Sequence, residues 1–438
     1  MSTRMTATAL DRLDSLAARS APYVAAGEVS VRVLRTIADL ESLRATWTEM
    51  QRQPNADIDL FLTVLGSSAR IDRPYVVVLY RDGNPDTILV GRVENTRLDL
   101  KVGYAGFLKP RARSLTFIYG GLFGNTCADN CRSLAVEIMN SLRGGEADFA
   151  FFNHLPADSS LYSSLGQVPG FLSRDHFPAL QTHRSMALPG SAEEFLQGLS
   201  PKLRRNQRWK KLLRDFPGAV SIRCFRDASE LERMISDVEV VAKTTYQRGL
   251  RVGFADDEIT RGHLVLKARR GWLRTFVLYV AGRPWAFWSG TLYRGVFHSE
   301  FMGYDPEHSK YSAGLYLVTR VIEDFCKSGE HREVDAVDFG LGDAEYKETL
   351  CNVQWQDASA YVFAPTARGL LLNAIRTPIL LFDRFTKRAL ERTGLLAKMK
   401  RLWRNRVAAK PPTSVASEAD PAARVLPPSQ DRPSVSVR

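Results

Sequence analysis

The chain has 438 residues, 45% of them hydrophobic, and this length favours two globular domains over one. No apolar run approaches the roughly 20 residues of a membrane-spanning helix, and the N-terminal residues lack a signal-peptide core, so we expect a cytoplasmic protein. The net charge of +12 suggests an anionic partner, although no nucleic-acid-binding motif accompanies it, and the five scattered cysteines predict neither a disulfide framework nor a metal site.

Residues 1–28 are polar and rich in Ala and Ser, which predicts a disordered tail. A first folded unit over residues 29–190 begins with the strand VSVRVLR and a helix near Leu43 to Met50. A hairpin follows, in which Asp82-Gly83 is a turn signal between two apolar strands. A helix near Cys131 to Leu142 and a strand ADFAFFNHL complete this unit, which is therefore predicted as α/β.

A basic helix is predicted from Lys202 to Arg214. It carries seven cations and no acid up to Arg214. A run of charge is usually a solvated face, but like charges on one helix destabilise it, which favours an anionic partner. Coenzyme A phosphates, a phosphorylated sugar carrier and a lipid headgroup all remain open.

A second unit over residues 191–365 repeats the pattern of the first. Its segment FVLYVAGRPWAFWSG aligns with VVLYRDGNPDTILVG, and both read as a strand, a turn with Gly and Pro, and a second strand. We interpret this as a duplicated α/β unit with mixed sheets flanked by helices. The first copy lacks a counterpart of the turn at Tyr311 to Gly314, so we expect it to be degenerate.

The segment from Thr275 to Glu348 is the most informative part of the chain. Strands are followed by a polar turn, a helix whose apolar stripe includes Val318 and Ile322, and a strand that ends in Asp338 and glycines. Unpaired backbone N–H groups and the helix dipole make the turn into that helix a ready anion site, which a diphosphate fits.

These residues resemble the GNAT-type acyl-CoA N-acyltransferases, in particular a tandem-domain branch associated with cellulose and exopolysaccharide synthesis and related to Fem-type aminoacyltransferases. The resemblance covers roughly residues 31–363. The matching residues are Gly303-Tyr304-Asp305-Pro306, Tyr311-Ser312-Ala313-Gly314, Asp338-Phe339-Gly340, Tyr346-Lys347 and the basic helix. The glycine-rich phosphate loop of the family is reduced here to one glycine, Gly314.

The resemblance implies acyl-CoA as the donor and Tyr311, Ser312, Ala313 and Gly314 as its binding turn. It also implies an acceptor amine on a cell-envelope precursor, either an amino sugar or a lipid-linked amine. An aminoacyl-tRNA-dependent transferase and a non-catalytic accessory protein of polysaccharide synthesis are the alternatives. Arg205 and Asn206 stand where the family has polar contacts, and they are the predicted substrate-binding residues of the basic helix.

Acyl transfer to an amine needs a base, because an alkylammonium ion has a pKa near ~10.4. His298 and Glu300 are the candidates, two residues apart on a strand and therefore on one face. A polar pair facing solvent or bonding across the sheet is the alternative. Either residue can be the base as far as the sequence shows.

Asp338 ends a strand at the place where α/β sheets put ligand contacts. Tyr346 offers a phenol to protonate the leaving thiolate, and Lys347 an ammonium for a phosphate or carboxylate. Capping of the next turn by Asp338 and a surface position for Lys347 are the structural alternatives. The resemblance favours catalytic and substrate-binding roles for them.

Residues 366–410 form a basic amphipathic segment, with twelve Lys and Arg against two acids. Such a segment can lie on an anionic membrane surface, each basic residue contributing about 1 kcal/mol, or pack on the domain with its charges in water. Pro378 interrupts its pattern. A peripheral position at the inner membrane face is thus a second expectation, and residues 411–438, with six prolines, are predicted as a disordered tail.

Overall fold

The computed structural model describes residues 27–102, 105–245, 253–327, 333–342 and 344–392. Nearly all of the predicted N-terminal tail, the whole C-terminal tail and residues 393–410 of the basic segment lie outside the described residues. The described strands are β1 (Val29–Leu34), β2 (Ile71–Arg81), β3 (Asn84–Arg97), β4 (Leu100–Val102), β5 (Ala105–Leu108), β6 (Arg111–Gly124), β7 (Phe149–Pro156), β8 (Ala179–Ala187), β9 (Val220–Phe225), β10 (Leu273–Val280), β11 (Arg283–Tyr293), β12 (Val296–Tyr304), β13 (Ala336–Leu341) and β14 (Val353–Phe363).

Helices alternate with these strands, as expected for an α/β chain. They are α1 (Ile37–Ser42), α2 (Arg44–Met50), α3 (Ile58–Ser67), α4 (Ala128–Arg143), α5 (Ser160–Gln167), α6 (Ala192–Gly198), α7 (Pro201–Arg204), α8 (Gln207–Asp215), α9 (Leu231–Ala242), α10 (Glu258–Arg269), α11 (Ala313–Lys327), α12 (Glu345–Leu350) and α13 (Ala367–Arg392). No helix in the described ranges combines the length and apolar character needed to span a bilayer.

The described residues form two compact units. Residues 182–355 make up the C-terminal unit, and residues 27–181 together with 356–392 make up the N-terminal unit. The strands of the C-terminal unit follow the order β8-β13-β12-β11-β10-β9, with one parallel pair, β12 and β13. Those of the N-terminal unit follow the order β1-β2-β3-β6-β7-β14, with one parallel pair, β6 and β7. The predicted fold of two tandem α/β units with mixed sheets is confirmed.

Helices cover both faces of the C-terminal sheet. On one face the predicted apolar stripe of α11 packs its Val318 and Ile322 against Phe276 and Trp288. On the other face α9 and α10 contribute Ile235 and Leu264 to a second cluster around Val277 of β10. Alternating strand residues therefore serve two separate cores, which fixes the register of the sheet.

The boundaries of the two units differ from the sequence division at residues 190 and 365. Residues 356–363 of β14 group with the N-terminal unit, because β14 pairs antiparallel with β7 from Phe363↔Phe149 to Asp357↔Pro156. In the same way β8, which precedes residue 190, pairs with β13 and belongs from residue 182 to the C-terminal unit. Each sheet is completed by a strand from the other half of the sequence. Local patterns contain no signal for such a distant pairing.

Candidate active site

Strands β12 and β13 separate in the middle of the C-terminal sheet. They pair through only three positions among the described residues, ending at His298↔Asp338. Each strand has an extra residue just after this pair, Glu300 opposite Ser289 and Gly290, and Phe339 opposite the β8 strand. Such bulges turn a strand away from its neighbour, and the described residues of β12 and β13 do not pair beyond His298 and Asp338. These two residues stand where the strands diverge.

Asp338 lies buried between two imidazoles. Its Oδ1 is 2.7 Å from His183 Nε2 and accepts the backbone N–H of Gly340 at 2.7 Å, and its Oδ2 is 3.1 Å from His298 Nδ1. Burial acts to raise the pKa of Asp338, but the attraction of His183 and the hydrogen bonds from both histidines outweigh it and hold that pKa well below its usual range. Asp338 is therefore an ionised carboxylate that only accepts hydrogen bonds.

The geometry selects one tautomer of His298. Since the carboxylate of Asp338 cannot donate, the hydrogen bond to it places the proton of the neutral ring on Nδ1 and leaves the lone pair on Nε2. The His298 side chain is 9% exposed, and its Nε2 is buried with no hydrogen-bond partner among the described residues. A buried ring nitrogen with a lone pair, oriented by a carboxylate, is the arrangement of a general base.

Glu300, the other predicted base, is held in an ion pair. Lys267 Nζ donates to both of its carboxylate oxygens, at 2.7 and 2.6 Å, and Thr291 donates to one of them at 2.6 Å. Burial acts to raise the pKa of Glu300, but the charge and hydrogen bonds of Lys267 lower it overall. A carboxylate that has a lowered pKa and already accepts three hydrogen bonds is a poor acceptor for a further proton.

The predicted phosphate turn precedes α11. Ser312 adopts the left-handed conformation (φ 52°, ψ 45°), and Arg208 Nη1 donates to its Oγ at 3.1 Å. Tyr311 and Ala313 are buried in the core, and a Cβ at Gly314 would come within 3.2 Å of the Tyr304 ring. The side chains of the turn are thus mostly structural. An anion here would meet backbone N–H groups of α11 and the Arg208 guanidinium.

The predicted basic helix is divided in two. Helix α7 ends at Arg204, and α8 starts at Gln207 with Asn206 as its N-cap, the Asn206 side chain accepting the N–H of Arg208 at 3.1 Å. Asn206 therefore has a capping role, while Arg205 is exposed at the break. An Asn in the middle of a basic run favours a cap over a helix interior, and this was the signal for the break.

Tyr346 and Lys347 lie next to each other on α12, but their side chains are buried to different extents and have different contacts. The Tyr346 ring is half-buried and packs edge-on against Phe339 at a centroid distance of 6.2 Å. Lys347 is 2% exposed and donates from Nζ to the carbonyl of Leu341 at 2.6 Å. Lys347 is neither at the surface nor directed at solvent, so it supports the strand end that carries Asp338.

His183 was absent from the sequence prediction. It lies on β8, 155 positions before Asp338, and its ring stacks on Trp355 with centroids 4.3 Å apart. The sequence around it, QTHRSMA, carries no motif. Only the pairing of β8 with β13 brings it to the carboxylate.

Comparison with known proteins decides the enzyme class. Residues 201–348 match the family model described as an acetyltransferase (GNAT) domain, and this range contains His298, Asp338 and the turn at Ser312. The protein is an acyltransferase. A search of curated proteins found no match.

Several solved structures have a similar chain path at low identity. FemX is 10% identical, with a TM-score of 0.46, 73% of this chain and 95% of that chain covered. A tandem GNAT protein from the clavulanic acid biosynthesis pathway is 12% identical, with a TM-score of 0.40 and coverage of 78% and 100%. A probable N-acyltransferase from Enterococcus faecalis is 11% identical, with a TM-score of 0.38 and coverage of 78% and 74%.

Proposed function

We propose that the C-terminal unit moves an acyl group from acyl-CoA to an amine, with His298 as the general base. The observation that carries this proposal is the buried, unpartnered Nε2 of His298 within the described residues, at the point where the pairing of β12 with β13 ends. A neutral imidazole nitrogen that carries a lone pair can accept a proton. The amine needs such an acceptor to attack a thioester.

The proposed step needs no covalent enzyme intermediate. The amine nitrogen attacks the thioester carbonyl, the C–N bond forms, the C–S bond breaks, and the ammonium proton passes to Nε2 of His298. The electron pair of the broken bond leaves on the thiolate of coenzyme A. The half-buried phenol of Tyr346 is the proposed donor of a proton to that thiolate.

The donor site is proposed at the start of α11. A cation beside a helix N-terminus opposes the helix dipole, and Arg208 occupies such a place through its bond to Ser312. A bound phosphate removes this conflict, because it attracts both the guanidinium and the free N–H groups. Lys310 and Lys211 lie over the Tyr311 ring at 5.0 and 5.8 Å and add positive charge nearby.

Replacing Arg208 with alanine should weaken acetyl-CoA binding about ten-fold, because one charge-assisted hydrogen bond of about 1.5 kcal/mol is lost. Isothermal titration calorimetry measures the dissociation constant. Arg214→Ala is the matched control. Arg214 is an exposed residue of α8 whose side chain is bonded to Asp215, so this variant should bind acetyl-CoA like the wild type. Equal weakening by both would show a general charge effect, and no heat with the wild type would contradict the donor site.

The N-terminal unit is proposed to be non-catalytic. When its hairpin is aligned with that of the C-terminal unit, Arg92 corresponds to Thr291. Arg92 pairs with Thr116, and Thr116 pairs in turn with Phe151 of the parallel neighbour. Threonine and phenylalanine therefore occupy the register of His298 and Asp338, and this pair offers no base. A role in shaping the acceptor site is proposed for this unit.

Helix α13 supports a membrane-associated acceptor. Its outward face is apolar, with Leu371, Leu381, Phe382 and Phe385 between 56% and 71% exposed. Its inward face packs Leu372 into an apolar cluster and also holds Arg376, which is 6% exposed and forms two hydrogen bonds with Asp175, at 2.7 and 3.1 Å. A helix that packs on a core usually turns a polar face outward, whereas α13 turns an apolar one outward.

Neighbouring apolar side chains extend this surface. Phe171 is 70%, Leu172 64% and Leu180 57% exposed, and Asn373 of α13 donates to the carbonyl of Leu172 at 2.8 Å. Large exposed apolar patches mark interaction sites. The sequence after α13 adds the basic residues 398–410 outside the described range, so we propose an anionic membrane surface as the partner and a lipid-linked amine or amino sugar precursor as the acceptor.

The double replacement Phe382→Ser with Phe385→Ser should lower binding to vesicles of phosphatidylglycerol and phosphatidylcholine at least ten-fold, because each phenyl ring buries apolar area worth about 1.5–3 kcal/mol. Vesicle co-sedimentation measures this partition. Ile37→Ser, at a separate residue that is 55% exposed, is the control. Unchanged partition would contradict the membrane surface, and a wild-type dimer that the double replacement dissociates would assign the face to self-association.

A further inference from the structure

We propose that His183 is a positioning residue that orients Asp338 and through it fixes the tautomer of His298. The proposal deepens the proposed function, since it concerns how the base is held ready. His183 is 1% exposed and comes from β8, where it pairs with Leu341 of β13.

The orientation of the His183 ring is itself constrained. Its plane lies 12° from that of the Trp355 indole, with 4.3 Å between the ring centroids. Rotation of the His183 ring about its bond to Cβ would break both the stack on Trp355 and the hydrogen bond to Asp338. The Nε2–H of His183 is therefore directed at one carboxylate oxygen.

Two hydrogen-bond donors to the same oxygen of Asp338 fix the orientation of its carboxylate. Oδ1 of Asp338 accepts both the His183 Nε2–H and the Gly340 N–H, each at 2.7 Å. Oδ2 is thereby left for His298 Nδ1 at 3.1 Å. Without His183, Oδ1 keeps only the bond from Gly340, and burial acts to raise the pKa of the carboxyl group.

The consequence reaches His298 Nε2. A protonated or rotated Asp338 can donate to Nδ1 or lose contact with it, and either change allows the proton of the imidazole to move to Nε2. A base with its proton on Nε2 cannot accept the ammonium proton. His183 thus acts on the reaction through Asp338 and without touching the substrate.

The test uses the full chain and two complementary replacements. His183→Phe keeps a ring for the stack on Trp355 and removes the donor, whereas His183→Gln keeps a donor near the place of Nε2 and removes the ring. Long-range ¹H–¹⁵N correlation spectra of the imidazoles report which nitrogen of His298 carries the proton. We expect His298 protonated on Nδ1 in the wild type, a shift toward Nε2 protonation in His183→Phe, and a return toward the wild-type spectrum in His183→Gln.

Acyl-transfer activity should change in parallel with the protonation of His298 seen in the spectra. His183→Phe should lower kcat about ten- to hundred-fold with little change in KM for the donor, and His183→Gln should recover most of the loss. His176→Ala is the control that leaves the His298 signals unchanged, since this histidine belongs to the N-terminal unit, where its ring contacts that of Phe171.

The spectral and kinetic readouts separate two failures. An unchanged His298 tautomer in folded His183→Phe overturns the positioning role even if the enzyme is active. The expected tautomer shift without acyl transfer by the wild type supports the positioning role and contradicts the proposed function. Should His183→Phe fail to fold, His183→Ala gives the same two decisive outcomes.

Discussion

Replacing His298 with glutamine is expected to lower kcat/KM for acyl transfer about 10²–10⁴-fold, the usual contribution of a general base. Asp338→Asn is expected to do the same, because a carboxamide that donates to His298 Nδ1 moves the ring proton to Nε2. Acetyl-CoA consumption with an amine acceptor, followed through the released thiol, measures the loss.

The loss should appear in kcat more than in KM for the donor, since neither residue belongs to the proposed phosphate site at Ser312 and Arg208. Thermal melting should show that both variants fold. His176→Gln, at a histidine in the N-terminal unit, is the matched control with wild-type turnover. Full activity of the His298 and Asp338 variants would show that the base is elsewhere.

Replacing Glu300 with glutamine is expected to lower the free energy of unfolding by about 3–5 kcal/mol, because it leaves the ammonium of Lys267 buried without its counter-charge. The Lys267 side chain is 8% and that of Glu300 13% exposed, so solvent cannot replace the lost partner. Denaturant titration followed by tryptophan fluorescence measures the change. Glu41→Gln, which breaks an ion pair with Arg44 at the surface, is the control with an unchanged midpoint.

A second replacement tests the cause of this destabilisation. Lys267→Met in the Glu300→Gln background removes the unpaired charge and should restore much of the stability. If the double variant is no more stable than Glu300→Gln, the ion pair is not the source of the effect.

The same pair predicts a pH dependence. The pKa of Glu300 is lowered on folding, so its stabilisation is present above the unfolded pKa of about 4.3 and is lost as the pH falls through the lower folded value. The difference in stability between wild type and Glu300→Gln should therefore shrink as the solution is made more acidic. A difference that grows in acid would contradict the assignment.

Taken from the sequence alone, His298 and Glu300 are equivalent candidates on one strand face. The structure separates them because their partners come from distant segments: Lys267 of α10 neutralises Glu300, and Asp338 of β13 orients His298. A pattern of alternating residues predicts which face of the strand a side chain lies on, but it does not predict which residues contact that side chain. The proposed assignment of the base to His298 rests on these contacts.

The sequence by itself determined those features of the protein that depend on residues close together in the chain. Alternation and helical spacing predict the strands, α11 and the tandem α/β fold, and the repeated hairpin reveals the duplication, because these signals depend on residues within one turn or one strand of each other. The tertiary structure decided those features that depend on contacts between distant segments of the chain. The exchange of β8 and β14, the arrival of His183 at Asp338 and the outward apolar face of α13 follow from contacts between segments about 150 or more positions apart, for which no local pattern carries a signal.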